Sequence, residues 1–262
     1  MIINIESTDN SKIKLVRKLA SKKARDEENL IVIEGINLVR EAMQRQIDIK
    51  FILVSDEHEQ DDFLRTCIDE NRLEICQVPE NIFSKIVDAE NGIGIIAVIA
   101  KPSIDLESGS YVSEQGNVLV LDRVQDPGNI GTMIRTAVAA GYEMVVTVKG
   151  TADVYSPKVL RSTAGMIFDI PIVQVDDATS LGKLLREFGK KIVVTTVDGG
   201  KTYFSQNLKH GIALIIGNEG NGVSDEVLKL ADIKVTIPMK GGIESLNAGV
   251  SAAILMYETI RE

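Results

Sequence analysis

The chain has 262 residues and a formal net charge of −9, with 44% apolar and 26% charged side chains. That length buries one large core or two ordinary ones without staples, and the composition is ordinary for a globular protein. The longest apolar runs, Ile93–Ala100 and Ala248–Tyr257, are too short to span a bilayer, so no membrane partner is expected. Met1–Asn10 carries acidic residues and no long hydrophobic stretch, so no secretory signal is read there and the expected location is cytoplasmic. Cys67 and Cys76 match no zinc spacing, and His58 and His210 lie far apart among polar residues. No metal site is expected.

An acidic chain argues against a nucleic-acid partner, but its charge is unevenly spread. Residues 1–25 set Lys12, Lys14, Arg17, Lys18, Lys22, Lys23 and Arg25 against Glu6 and Asp9, a surplus of five that leaves −14 on the remainder. Such a segment can hold phosphates, or can simply be the solvated side of an amphipathic helix.

In chain order, Ser11–Ala24 reads as a helix with Ile13, Val16, Leu19 and Ala20 as its apolar stripe. Strands follow at Leu30–Ile33, Lys50–Val54, Leu73–Val78 and Gly94–Ala100, with helical patterns through Met43, near Glu59–Glu70 and near Ile82–Val87. This alternation is α/β. Lys101–Asn117, with Pro102, serines and glycines and little periodicity, reads as a linker, and the boundary is placed near Asp105. Beyond it, strands at Val118–Leu121, Met144–Val148, Ile170–Val175, Ile192–Val197, Ile212–Ile216 and Lys234–Ile237 alternate with helices at Ile130–Gly141, Pro157–Ala164, Leu181–Phe188 and Leu246–Ile260. Their unbroken apolar runs predict a mostly parallel sheet covered on both faces, and no fixed-period repeat is present.

Ligands of such sheets bind beyond the carboxyl ends of the strands. Three loops there carry chemistry. The first, Asp122-Arg-Val-Gln-Asp-Pro-Gly-Asn-Ile-Gly, turns at Pro127-Gly128 and opens a helix, with Asn129 expected as N-cap. Arg135 falls off that helix's apolar face. The bland reading makes Asn129 only a cap and Arg135 only a solvated charge. The second, Gly217-Asn-Glu-Gly-Asn-Gly222, fits neither the dinucleotide fingerprint nor the P-loop. Glycines there allow close backbone approach to a ligand. Glu219 has no capping role and points to a ligand or a partner cation. The third, Ile237-Pro-Met-Lys-Gly-Gly-Ile-Glu-Ser-Leu-Asn, ends the last strand, with Ser245 expected to cap the final helix and Leu246 and Asn247 in its first turn. Small residues in that helix predict tight packing against another backbone.

Together, in this order, the loops closely resemble the three motifs of the SpoU branch of the SPOUT methyltransferases, the TrmH-like family. The match runs from about Val118 to the C-terminus. The basic helix, Glu34-Gly35 and Gly92–Val98 are similar to that family's ribosomal-protein-like substrate-binding domain. The resemblance implies an RNA-binding domain over residues 1–105 and a methyltransferase domain with a trefoil knot over residues 106–262, in a homodimer. It implies S-adenosylmethionine as cofactor and methyl transfer to a ribose 2′-hydroxyl of RNA, ribosomal RNA being favoured. It places Asn129, Arg135, Glu219, Ser245 and Asn247 at the catalytic positions. Thr196, Gly217, Asn218, Ile237, Leu246 and Asn247 fall at cofactor contacts, and Lys12, Lys14, Lys22, Lys23 and Arg25 are expected to face RNA. The alternatives are a transfer-RNA methyltransferase, a non-catalytic ribosome-assembly factor and a nucleotide-dependent oxidoreductase. The intact polar residues disfavour the second, and the reversed glycine spacing disfavours the third.

Overall fold

A computed structural model describes residues 2–58, 73–87, 94–104, 111–241 and 245–261. The helix expected near Glu59–Glu70, Cys67 and the Gly92 end of the Gly92–Val98 feature lie outside them. The chain forms two compact units.

The first unit comprises Met1–Pro102 together with Tyr155–Phe168. Its sheet has the order β1 (Ile2–Asn4), β4 (Ile75–Val78), β3 (Ile49–Ser55), β5 (Ile95–Ala100), β2 (Leu30–Glu34). The first three run parallel, and β5 is antiparallel to both β3 and β2. The helix expected over Ser11–Ala24 is two helices, α1 (Ser11–Lys18) and α2 (Lys22–Glu28). Asn10 accepts from Lys12 N–H to open α1, and the break falls where Ser21 Oγ accepts from Ala24 N–H to open α2. Ile13, Val16 and Leu19 still turn inward, onto Phe51, Leu53 and Val98. Among the described residues of the stretch, the remaining α-helices are α3 (Ile36–Gln44) and α4 (Glu80–Phe83). The chain re-enters this unit as α6 (Pro157–Thr163), which packs on β2 and pairs Arg161 with Glu34 at 3.0 Å.

The second unit comprises Ser103–Val154 and Asp169–Glu262. Its seven strands lie in the order β10 (Lys201–Thr202), β12 (Ile233–Thr236), β9 (Lys191–Thr195), β11 (Ile212–Gly217), β6 (Val118–Asp122), β7 (Met144–Val148), β8 (Ile172–Val175). Every described pairing is parallel. Strands β6, β7 and β11 are buried at every residue, which is why their sequences run apolar without alternation. The helices are α5 (Pro127–Ala139), α7 (Ala178–Glu187), α8 (Asp225–Leu228) and α9 (Ala248–Glu258). Helix α9 packs on α5 at Gly249, where an added Cβ would meet Asn129 Oδ1 at 3.4 Å and Thr132 Cγ2 at 3.5 Å, ordinary contact distances. The chain runs outward from β6 through β7 to β8, then returns to β9 on the far side of β11. The loops leaving β6, β9, β11 and β12 therefore gather at one edge, around the point where the strand order reverses.

Candidate active site

Two capping assignments differ from expectation, and the difference frees the polar groups of the site. Asp126, not Asn129, caps α5, its Oδ1 accepting from Asn129 N–H at 2.7 Å. Asn247, not Ser245, caps α9, its Oδ1 accepting from Val250 N–H at 3.1 Å. Pro127 occupies the first helical turn, where its missing N–H is no loss. Asn129 thus sits inside that turn with its side chain available. Its Nδ2 donates to Glu219 Oε1 at 3.1 Å, and its Oδ1 accepts from Asn247 Nδ2 at 2.9 Å. A carboxylate only accepts, so the Asn129 amide has one sensible orientation. Glu219 also accepts the main-chain N–H groups of Gln125 and Asp126, each at 3.0 Å. One carboxylate and two carboxamides therefore stitch together the loops after β6, β11 and β12. Burial pushes the Glu219 carboxyl upward, but the two backbone donors and Asn129 outweigh it and hold the group below the usual carboxylate range.

The glycine loop is fixed at both ends. Asn218 and Gly222 exchange main-chain hydrogen bonds of 3.0 and 2.9 Å, while Asn218 Oδ1 accepts from the N–H groups of Gly220 and Asn221. Gly217 has no room for a side chain: a Cβ would lie 2.2 Å from Gly222 C and Val223 N. Asp122, fully buried at the end of β6, accepts from Ser224 N–H at 2.6 Å. The sequence places the end of that strand near Asp122 but gives its side chain no role. The available signal was a carboxylate directly after an unbroken apolar run. Gln125 and Asp126 meet Glu219 through backbone N–H groups, which carry no sequence signature.

Beside this network lies a cleft of about 790 Å³. Thr196, Gly217, Asn218, Ile237, Ser245 and Leu246 line it, as does Glu219, with Leu228, Val235 and Leu255 contributing apolar wall. Gly200 closes the turn after β9 onto β12, where a Cβ would meet Val235 C at 2.9 Å. The cleft is of a size that holds a nucleoside-like ligand. Apolar surface suits an adenine ring and a thioether chain, while the glycine-rich rim exposes backbone donors and acceptors. The residues present fit S-adenosylmethionine.

Arg135 is exposed on α5 and makes no hydrogen bond or ion pair with the described residues. Of the five basic candidates, all in the first unit, Arg25 is a correction. It is 5% exposed and donates to the carbonyls of Leu19 and Ala20 at 2.6 and 2.8 Å, closing the turn between α1 and α2. Its guanidinium is thus buried and turned inward, out of reach of a phosphate. Lys12 pairs with Glu74 at 2.9 Å, Lys14 with Asp9 at 2.9 Å and Lys23 with Glu27 at 3.7 Å, while Lys22 is exposed. Exposed pairs like these are weak and open readily to a competing phosphate. Among the described residues, no three His, Cys, Asp or Glu side chains converge as a metal would need.

Comparison with known proteins matches residues 116–257 to the SpoU rRNA Methylase family and residues 10–97 to the MRM3-like substrate binding domain. The 23S rRNA (guanosine(2553)-2′-O)-methyltransferase RlmP of Bacillus subtilis is 40% identical over 253 residues, covering 97% of each chain. The 23S rRNA (uridine(2479)-2′-O)-methyltransferase of Streptomyces viridochromogenes is 30% identical, over 93% of this chain and 87% of that one. Among solved structures, the AdoMet-bound SpoU methyltransferase AviRb from the same organism superposes with a TM-score of 0.87 at 27% identity, covering 96% of this chain and 97% of that one. The AdoMet-bound rRNA methyltransferase from Sinorhizobium meliloti gives 0.84 at 28% identity, over 98% and 97%. Both halves of the chain are thus accounted for, and the protein belongs to the SpoU rRNA methylase family.

Proposed function

We propose that this protein transfers a methyl group from S-adenosylmethionine to a ribose 2′-hydroxyl of ribosomal RNA. The observation that carries the proposal is the Glu219–Asn129–Asn247 chain of hydrogen bonds beside a cleft that fits the cofactor. The named activities of the relatives support the acceptor.

Bound in the cleft, S-adenosylmethionine supplies a methyl group already activated by its sulfonium. The protein's own task is then placement and electrostatics. Thr196, Gly217, Asn218, Ile237, Leu246 and Asn247 hold the cofactor, and Ser245 and Asn129 orient the acceptor ribose. Glu219 keeps Asn129 fixed. Arg135 stays protonated at any working pH, since its reference pKa is above 12. It holds an RNA phosphate and stabilises negative charge developing on O2′. The O2′–methyl bond forms as the methyl–sulfur bond breaks, and the hydroxyl proton leaves to a phosphate oxygen or water.

In this reading residues 1–105 hold the RNA, using Lys12, Lys14, Lys22 and Lys23, and residues 106–262 carry out transfer, in the cytoplasm and without a metal. The return of β12 beside β9, and of α9 across α5 and β11, supports a trefoil-knotted second half. A homodimer is supported by α9, whose Val250 and Tyr257 are each about half exposed at one-helical-face spacing, with Leu246 before them. The test is a deletion strain, with 2′-O-methylation mapped across its ribosomal RNA. One methylated ribose is expected to disappear and to return with the intact gene. An unchanged ribosomal map would contradict the proposed substrate.

A further inference from the structure

Arg123 follows the buried Asp122 at the mouth of the site, and nothing in the mechanism above uses it. Its backbone has φ of +58°, in the left-handed region that glycine occupies without strain and other residues seldom adopt. An arginine held there needs a reason. Its Nε lies 3.5 Å from Asp122 Oδ1, a carboxylate that is fully buried. Its two terminal nitrogens make no hydrogen bond to the described residues, and the side chain is 45% exposed. Its main chain is built into the site: Arg123 O accepts from Asn218 Nδ2 at 2.9 Å, and Gln125, two residues on, donates its N–H to Glu219. A guanidinium ion-paired through Nε with a buried carboxylate, at a separation longer than a hydrogen bond, leaves its terminal nitrogens open to solvent, where they can take a phosphate bidentately.

We propose that Arg123 is a substrate-binding residue, holding a backbone phosphate of the RNA near the acceptor ribose while Asp122 keeps its guanidinium oriented. This rests on the functional reading above, and it adds a second cation to Arg135 at the transfer site.

The rival is that Arg123 merely neutralises Asp122. The two are separated with R123G, R123K and R123Q in the full-length protein. The measurements are thermal stability, S-adenosylmethionine affinity by calorimetry, and binding and methylation of an unmodified large-subunit ribosomal RNA transcript across a salt series. For R123G, the expected result is cofactor affinity within twofold of the parent, with relief of the backbone strain offsetting part of the thermal stability lost with the Asp122 pair. RNA affinity should fall about 10- to 100-fold, as for a lost charge-assisted hydrogen bond. The slope of log affinity against log salt should shrink by about 0.7 to 0.9. R123K should recover part of the affinity and R123Q none, which keeps the test decisive if R123G does not fold. Parent-like RNA affinity and salt slope in R123Q would overturn the proposal, as would a parallel loss of stability and cofactor binding in all three variants. Failure of the underlying functional reading looks different: the parent protein itself would not methylate the transcript.

Discussion

Replacing Asn129 by Asp changes the stitched loops by little more than one atom. The Asn129 Oδ1 that accepts from Asn247 at 2.9 Å is retained, whereas the Nδ2 that donates to Glu219 at 3.1 Å becomes a carboxylate oxygen. Two negative charges then face each other across a distance where repulsion is about 1 kcal/mol in bulk water and about 5 kcal/mol at an effective dielectric of about 20. Glu219 is largely exposed, so the lower part of that range applies, about 1–3 kcal/mol or a loss of about 10- to 100-fold in kcat/KM at pH 8. The sign of the pH dependence is the sharper expectation. In the parent, Glu219 titrates below the usual range, so its network is complete at neutral pH and is lost only as pH falls through that low value. In Asn129→Asp the paired carboxylates share a proton at a raised pKa. The variant should therefore regain activity relative to the parent as pH falls from about 8 toward about 5, as the shared proton is taken up. The assay is the ratio of variant to parent kcat/KM in methyl transfer across that range. A ratio near one at pH 8, or one that stays flat or falls as the medium becomes acidic, would refute the role given to the Asn129–Glu219 contact.

Four further outcomes follow from the structure. Asn247→Asp keeps the oxygen that caps α9 but loses the donor to Asn129, so thermal stability should be nearly unchanged while methyl transfer falls. Asn247→Ala loses both, adding about 1 kcal/mol of destabilisation measurable by denaturant unfolding. Gly217→Ala places a Cβ 2.2 Å from the backbone of Gly222 and Val223, so the loop must shift and calorimetry should show at least about a tenfold loss of cofactor affinity. Arg25→Ala leaves the buried carbonyl of Leu19 and the part-buried one of Ala20 without their donor and should destabilise by about 1–3 kcal/mol, with little effect on the salt dependence of RNA binding.

Much of this architecture is written locally. The unbroken apolar runs around β6, β7 and β11 place a parallel sheet, and the loops after them carry the polar residues that meet in space. The misplaced helix starts have a common cause: Asp126 and Asn129, or Ser245 and Asn247, are all competent N-caps, and only the three-dimensional path decides which one is used. Ser21 presents the converse case, where an apolar stripe at helical spacing runs through a residue that caps a new helix. Non-local contacts leave no periodic trace. The packing of α6 on β2 across a long stretch of chain is of this kind. So is the pairing of Asp122 with the amide of Ser224, a contact between residues 102 positions apart. Charge counts mislead for a related reason. The surplus of cations in residues 1–25 includes one buried side chain and several paired with carboxylates such as Glu74 and Glu27.

The most direct test of the central claim is transfer of label from methyl-labelled S-adenosylmethionine to RNA taken from a strain lacking the gene, followed by digestion to nucleosides. The account predicts a single labelled 2′-O-methylnucleoside, derived from ribosomal RNA and absent when RNA from the parent strain is used. Label on a base, or no label from a protein that binds the cofactor normally, would contradict it.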